Sequence, residues 1–459
     1  MMRKVGVAVS RVGLILMLGM FGVPLVAPSF SQSNSVENKE RSAALKELEE
    51  LNKQAFQLYN QGQYQAAITI AKRILAIREK ALGMDHPDVA TSLNNLALLY
   101  KSQGNYQSAE PLYKRSLAIR EKVLGSEHPD VATSLNNLAA LYRDQGNYPA
   151  AEPLYKRSLA ISEKVLGFEH PDVATSLNNL AELYRSLGNY LAAEPLYKRS
   201  LTIREKVLGA EHPDVATSFN NLAALYQTKG NYSFAEPLYK RSLAIAEKAL
   251  GKEHPSIAIS LNNLAFLYQT QGKYSVAEPL YKRSLAIEEK VLGVEHPSVA
   301  ISLNNLAWLY QAQGKYPTAE PLYRRSLVIA EKALGAEHPF VAQSLNNLAA
   351  LYQTQGNYPA AEPLYKRSLA IREKVLGTEH PDVAQSLNNL AFLYQTQGNY
   401  PAAEPLYKRS LAIIEKALGT EHPDVAQSLN NLAFLYQTQG NYPAAEPLYK
   451  RSLAIIEKA

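Results

Sequence analysis

The 459-residue chain contains no cysteine. That excludes a disulfide framework, thiol catalysis and cysteine-ligated metal. It has one tryptophan, Trp308, and nine histidines, every one at the same repeating position. Neither sign of charge is in large excess. The net charge is +6, and about +3 without Arg3, Lys4 and Arg11. So mild a balance argues against a dedicated nucleic-acid binder. No nucleophile–base set, phosphate loop or metal-ligand cluster is apparent, because each serine, histidine or aspartate that could be nominated belongs to a repeated column. The reading is of a non-catalytic chain without cofactor or metal.

What fills the chain is a phrase. "HPDVATSLNNLALLYKSQGNY", from His86, returns at His128 and His170 and so on to His422, at a constant step of 42. Of the 29 tyrosines, 27 fall in three columns typified by Tyr100, Tyr106 and Tyr113. A fixed period of this size marks a stacked array rather than a set of globular domains.

The N-terminus reads as an export signal over residues 1–31. Arg3 and Lys4 precede the apolar run "VGLILMLGMFGVPLVA", and Ser29 and Ser31 place small residues for cleavage before Gln32. The expected location is therefore exported. The alternative is a membrane anchor formed by residues 12–27, which Pro24 and the short apolar length weaken. Residues 32–44 read as a polar linker.

One repeat, residues 87–128, reads as a helix hairpin. Pro87 suits a first helical position and Asp88 favours the positive helix end. Val89, Leu93, Leu96, Ala97 and Tyr100 follow at spacings of three and four. Gly104 suits a left-handed cap. A second helix is expected from about Gln107 to Leu124, with Pro111 near its first turn, and Gly125 closes it. Two such helices cannot bury their apolar faces alone, so neighbouring hairpins must stack. Small Ala97 and Ala109 allow close approach, and the tyrosine columns are core rather than a stacking platform. A degenerate repeat over 45–86 precedes nine tandem copies over 87–459, the last truncated inside its second helix. The fold class is all-α, a right-handed superhelical solenoid of about ten helix-turn-helix repeats.

The order large, large–small, aromatic, small, aromatic at Leu93, Leu96–Ala97, Tyr100, Ala109 and Tyr113 resembles the tetratricopeptide repeat. The 42-residue form, "LNNLA…LY…QG.Y..AE.LY.R.L.I.EK.LG..HP", is similar to the repeats of kinesin light chains and related bacterial proteins. The resemblance covers about residues 45–459. The export signal, and the lack of a heptad coiled coil before the repeats, set the chain apart from a motor subunit.

The resemblance implies that first helices line a concave groove. Asn94 and Asn95 recur unchanged, as in Asn136–Asn137, Asn178, Asn220, Asn262, Asn304, Asn346, Asn388 and Asn430. Other columns drift. Thr91 gives way to Ile259 and Ile301, then to Gln343, Gln385 and Gln427. Lys101, Arg143 and Arg185 give way to glutamine from Gln227. Leu98 becomes Phe266, Trp308, Phe392 and Phe434 further along. An asparagine row can read the backbone of an extended segment, because an amide both donates and accepts. The alternative is that these amides bond between adjacent helices. The basic stretch would suit acidic groups and the aromatic stretch would supply apolar anchors.

The expected function is a protein-interaction scaffold that binds a peptide or protein segment in this groove. Alternatives are the regulatory array of a larger effector protein, or a self-assembling rod joined through an uncapped C-terminal helix. The nine histidines invite a metal reading. Successive repeats should stand about 10 Å apart, and metal–nitrogen bonds are about 2 Å, so neighbouring copies cannot share an ion. The recurring Lys114–Arg115 doublet, interleaved with Glu110 and Glu121, reads as a solvated outer face rather than a nucleic-acid stripe.

Overall fold

The computed structural model describes residues 35–458. Residues 1–34, which hold the expected export signal and the candidate anchor 12–27, lie outside them. Among the described residues there are twenty helices and no strand, in ten consecutive hairpins. The leading hairpin joins Ser35–Asn60 to Tyr64–Leu82, and the first full repeat joins Pro87–Ser102 to Tyr106–Leu124. The first helix begins at Ser35, inside the stretch expected as linker. "KERSAALKELEEL" is rich in strong helix formers, which is why it continues the helix.

The punctuation is clearest in the first full repeat. His86 sits just before the first helix, and its Nδ1 accepts from the Asp88 backbone N–H at 3.1 Å. A ring nitrogen thus serves as the N-terminal cap, beside Pro87, which has no N–H to satisfy. At the other end Asn105 N–H donates to Tyr100 O at 2.8 Å and Gly104 N–H to Lys101 O at 2.9 Å. This is a Schellman closure, and Gly104 takes φ 77° to make it. Asn105 then caps the second helix, its Oδ1 accepting from Ser108 N–H at 3.1 Å. Pro111 lies deeper than expected. Counted from Tyr106 it is in the helix interior, on an exposed face. The carbonyl its missing N–H leaves over is at the solvent side, where water can take it.

The chain divides into two compact bodies, one up to Leu138 and one from Ala139 onward. In the first, Ala90, Leu93, Ala97, Ala109 and Tyr113 are buried, and Ala90 and Leu93 pack with Val89 and Ile119. Ser116 Oγ donates to Ala90 O at 2.7 Å, pinning the second helix to the first. The second body repeats the arrangement. Ala265, Ala277, Tyr281, Ala307, Ala319 and Tyr323 belong to one continuous cluster running through successive repeats. Ser284 donates to Ala258 O and Ser326 to Ala300 O in the same way.

The Lys–Arg doublet lies on the outer side and is matched to carboxylates. Lys198 bonds Glu194 four residues earlier at 2.7 Å, and Arg199 reaches Glu163 of the preceding repeat at 2.6 Å. The pattern recurs at Lys240–Glu236 and Lys282–Glu278. Exposed pairs of this kind contribute about 0–1 kcal/mol each.

Ala277→Leu is expected to destabilise the array by about 1–3 kcal/mol, because a buried methyl between two helices has no room for three more carbons. The same change at exposed Ser275 should be near neutral. Denaturant midpoints of the two variants check this.

Candidate functional site

The asparagine row is not a free row of amides. Asn137 Nδ2 donates to Asn94 Oδ1 at 2.9 Å within the first body. In the second, Asn221 donates to Asn178, Asn263 to Asn220, Asn347 to Asn304 and Asn389 to Asn346, at 2.8–3.1 Å. The second asparagine of one repeat therefore caps the first of the repeat before it. Asn94, Asn95, Asn136, Asn178, Asn304 and Asn346 are buried, while Asn220, Asn262, Asn388 and Asn430 are half-buried. Asn262 departs from the ladder: its Nδ2 donates to Ser284 Oγ at 2.7 Å and Ser302 Oγ at 2.8 Å. The recurrence of the pair thus has a structural cause, a polar bond across five of the junctions among the described residues. The structure takes the alternative the sequence left open.

The basic stretch is likewise tied down in the second body. Arg143 pairs with Asp144 at 2.8 Å, and Arg185 with buried Glu182. Tyr197 Oη also donates to Glu182. Burial pushes the Glu182 carboxyl up, but Arg185, Arg143 and the Tyr197 hydroxyl outweigh it and hold it at about 2. The charges at Arg143 and Arg185 are therefore largely neutralised in place. From the next repeat onward glutamine takes over the buried tyrosine. Tyr239 donates to Gln227 Oε1 at 2.9 Å, Tyr281 to Gln269 at 3.0 Å and Tyr365 to Gln353 at 2.9 Å. In the repeat carrying Arg143, Tyr155 Oη has no partner among the described residues. The change from arginine to glutamine is thus also a change in who holds a core hydroxyl. Lys101, at the same position in the first body, is half-buried.

What remains open on this face is aromatic. The Phe266 and Trp308 rings lie 5.5 Å apart at 36°, half-buried on adjacent first helices. Ile259 and Ile301 are half-buried one helical turn or two before them. The Nε2 groups of Gln227 and Gln269 meet no acceptor among the described residues. Phe392 is half-buried and Phe434 is 47 % exposed.

One column of consequence escaped the sequence reading. Arg120, on a second helix, is buried and bridges three partners. Its guanidinium donates to Thr91 Oγ1 of its own repeat, and to Asp130 O and Ser134 Oγ of the next. Arg372 does the same between Gln343 at 2.7 Å and Asp382 O and Ser386 Oγ at 2.8 and 2.9 Å. The position runs Arg120, Ser162, Arg204, Ala246, Glu288, Ala330, Arg372, Ile414. A column that crosses residue classes, among second-helix columns that hardly move, was the available signal. The Thr91 column thus accepts from this arginine at Thr91 and Thr175 and, as glutamine, at Gln343.

A tetratricopeptide repeat model matches residues 48–122, 102–164, 172–248, 214–290, 256–332, 309–374, 340–416 and 382–458. The chain belongs to the tetratricopeptide repeat family. No curated protein matches it. Among solved structures it is similar to BtubC (BKLC) from P. vanneervenii, at 25% identity over 50% of this chain and 89% of that one, with a TM-score of 0.41. It is also similar to a structure described as kinesin light chain TPR-like repeats of Podosopora anserina, at 35% identity over 45% of this chain and 98% of that one, TM-score 0.38. Human IFIT1 with PPP-AAAA aligns at 16% identity over 88% of this chain and 90% of that one, TM-score 0.48.

Two outcomes are expected. Arg372→Ala strands Gln343, Ser386 and the Asp382 carbonyl and should cost about 2 kcal/mol or more; amide exchange across 381–396 should speed up, and Arg372→Met should restore part of the loss. Glu182→Gln removes a carboxylate whose folded value lies below the unfolded one of about 4.3. Its stabilisation is present above that value and is lost as pH falls toward 2, so the stability gap between wild type and variant should close over that window.

Proposed function

We propose that the chain is a scaffold that binds an extended protein segment along the inner side of its first helices, with Phe266 and Trp308 as the apolar anchor. The observation that carries this is the pair of half-buried rings, Phe266 and Trp308, 5.5 Å apart on adjacent first helices, where the same column elsewhere holds mostly small or lone side chains. Rings of this size supply the anchor energy of most peptide interfaces. The asparagines contribute by holding the helices in register, with the half-buried Asn262 and Asn388 nearest the face. The reading extends to location: export after cleavage before Gln32, which Edman sequencing of the secreted or periplasmic protein should show as an N-terminal Gln32.

Trp308 is the only tryptophan, so its emission reports occupancy of the anchor directly. Against a library of extended peptides, binders are expected to shift that emission to the blue. Phe266→Ala should weaken the best of them by about tenfold or more. Lys240→Glu with Lys282→Glu, on the outer side, should leave binding unchanged. Binders that leave Trp308 emission unmoved, or that respond only to the outer-side change, would remove the groove reading.

A further inference from the structure

The second body touches itself at two places far apart in sequence. His380 Nε2 lies 3.3 Å from Asp144 O, 236 residues away. A Cβ built on Gly146 would stand 2.8 Å from Pro381 Cδ and 2.9 Å from His380 Cδ2. One repeat further along, a Cβ on Gly188 would stand 2.7 Å from His422 Nε2. The hairpin-turn glycines Gly230, Gly272, Gly314, Gly356, Gly398 and Gly440 have nothing within 4 Å of such an atom. So the helix starts at His380 and His422 rest on the hairpin turns at Gly146 and Gly188, one winding of the stack against the previous one. The contact is visible in exposure too. The His422 side chain is 8% exposed, against 40% for His170 and His212 at the same column.

The state of the two rings follows from their bonds. His380 Nδ1 accepts from Asp382 N–H at 2.9 Å, and His422 Nδ1 from Asp424 N–H at 3.0 Å. A nitrogen that accepts carries no proton, so each ring is neutral with its proton on Nε2. On His380 that proton points at Asp144 O. On His422 the Nε2 is buried without a partner among the described residues. A second proton would land on Nδ1, facing a backbone N–H, inside a dry contact.

We propose that these two contacts form an acid-released clasp between successive windings of the second body, closed when His380 and His422 are neutral and opened when they are protonated. The groups that face them are few. Around His380 stand Asp382 and Glu379 on its own side, Arg372 from the preceding helix, and Asp144, itself bonded by Arg143, from the opposite winding, with Tyr148 near Asp382. Around His422 stand Asp424 and Glu421 on its own side, with Tyr148 near Asp424 and the Gly188 turn against the ring from the opposite winding. Asp382 and Asp144 favour the His380 cation and Arg372 opposes it, while Asp424 favours the His422 cation. Burial is the largest influence, and it pulls both imidazoles below their ordinary value of 6.5. The sign follows. The open form binds protons more readily than the closed one, so closure is fully favoured above about 6.5 and is lost as pH falls through the lowered value.

The absence of cysteine makes the test clean. Spin labels on Lys156→Cys and Thr378→Cys, both exposed and on opposite sides of the contact, report the separation of the windings by pulsed dipolar spectroscopy. The full chain is measured at about pH 7.5 and about pH 5, the latter still above the ordinary aspartate range. The distance peak is expected to move to longer separation at the lower pH with helix content unchanged. His380→Asn with His422→Asn keeps a neutral capping oxygen at both pH values, and should abolish the shift. Gly146→Ala with Gly188→Ala should give the longer separation already at neutral pH. Gly230→Ala with Gly272→Ala bears the same positive-φ strain without the contact, and should behave as wild type. No shift in the wild type, or an equal shift in the asparagine variant, overturns the proposal.

Discussion

The structure depends on one contact repeated: a tyrosine ring laid over alanines where one hairpin meets the next. A 42-residue hairpin has an apolar stripe and nothing of its own to cover it. Alanine at positions such as Ala265 and Ala277 brings backbones together, and the ring of Tyr281 fills the space that remains. Every other regularity hangs on this spacing. The serine bonds to the facing helix, the asparagine ladder and the outer lysine–glutamate lattice form only if each hairpin lies in the same register as the last.

Because the apolar contacts are the same everywhere, the polar ones carry the differences. A buried hydroxyl or guanidinium left without a partner is costly, and the partner can come from either neighbour. Tyr197 uses Glu182, whereas Tyr239 uses Gln227. Arg372 uses Gln343 where Arg120 uses Thr91. Changes along the inner face thus alter which group holds the same second-helix tyrosine or arginine. The aromatic stretch around Phe266 and Trp308 stands out from these as a surface for something else.

The period, the hairpin and its end signals were all legible in the residues. Proline after histidine, glycine at both ends and the three-and-four spacing leave little freedom, and the family relationship follows from the same columns. The site was legible less well. Asparagine looks alike whether it reads a ligand or a neighbouring helix, and only the distance from Asn137 to Asn94 separates the two. Charge was misleading for a similar reason. Arg143 and Arg185 read as a basic stretch in the alphabet, yet each meets a carboxylate one or three residues away. Contacts such as His380 with Asp144 could not be read at all, since they depend on the small rotation that each hairpin adds to the last. The helix from Ser35 is hard to read in the residues because a polar composition hides their helix propensity.

The sameness of the junctions has a consequence for inheritance. If one copy of the phrase were lost, the surfaces brought together would be those already joined elsewhere in the stack. A helix start would also meet a hairpin turn one copy along, carrying the same glycine. Such a chain can change its count without inventing an interface. Length is then the cheapest trait for it to vary, and the residues of the aromatic stretch are the ones a change of count would carry closer to, or farther from, either end.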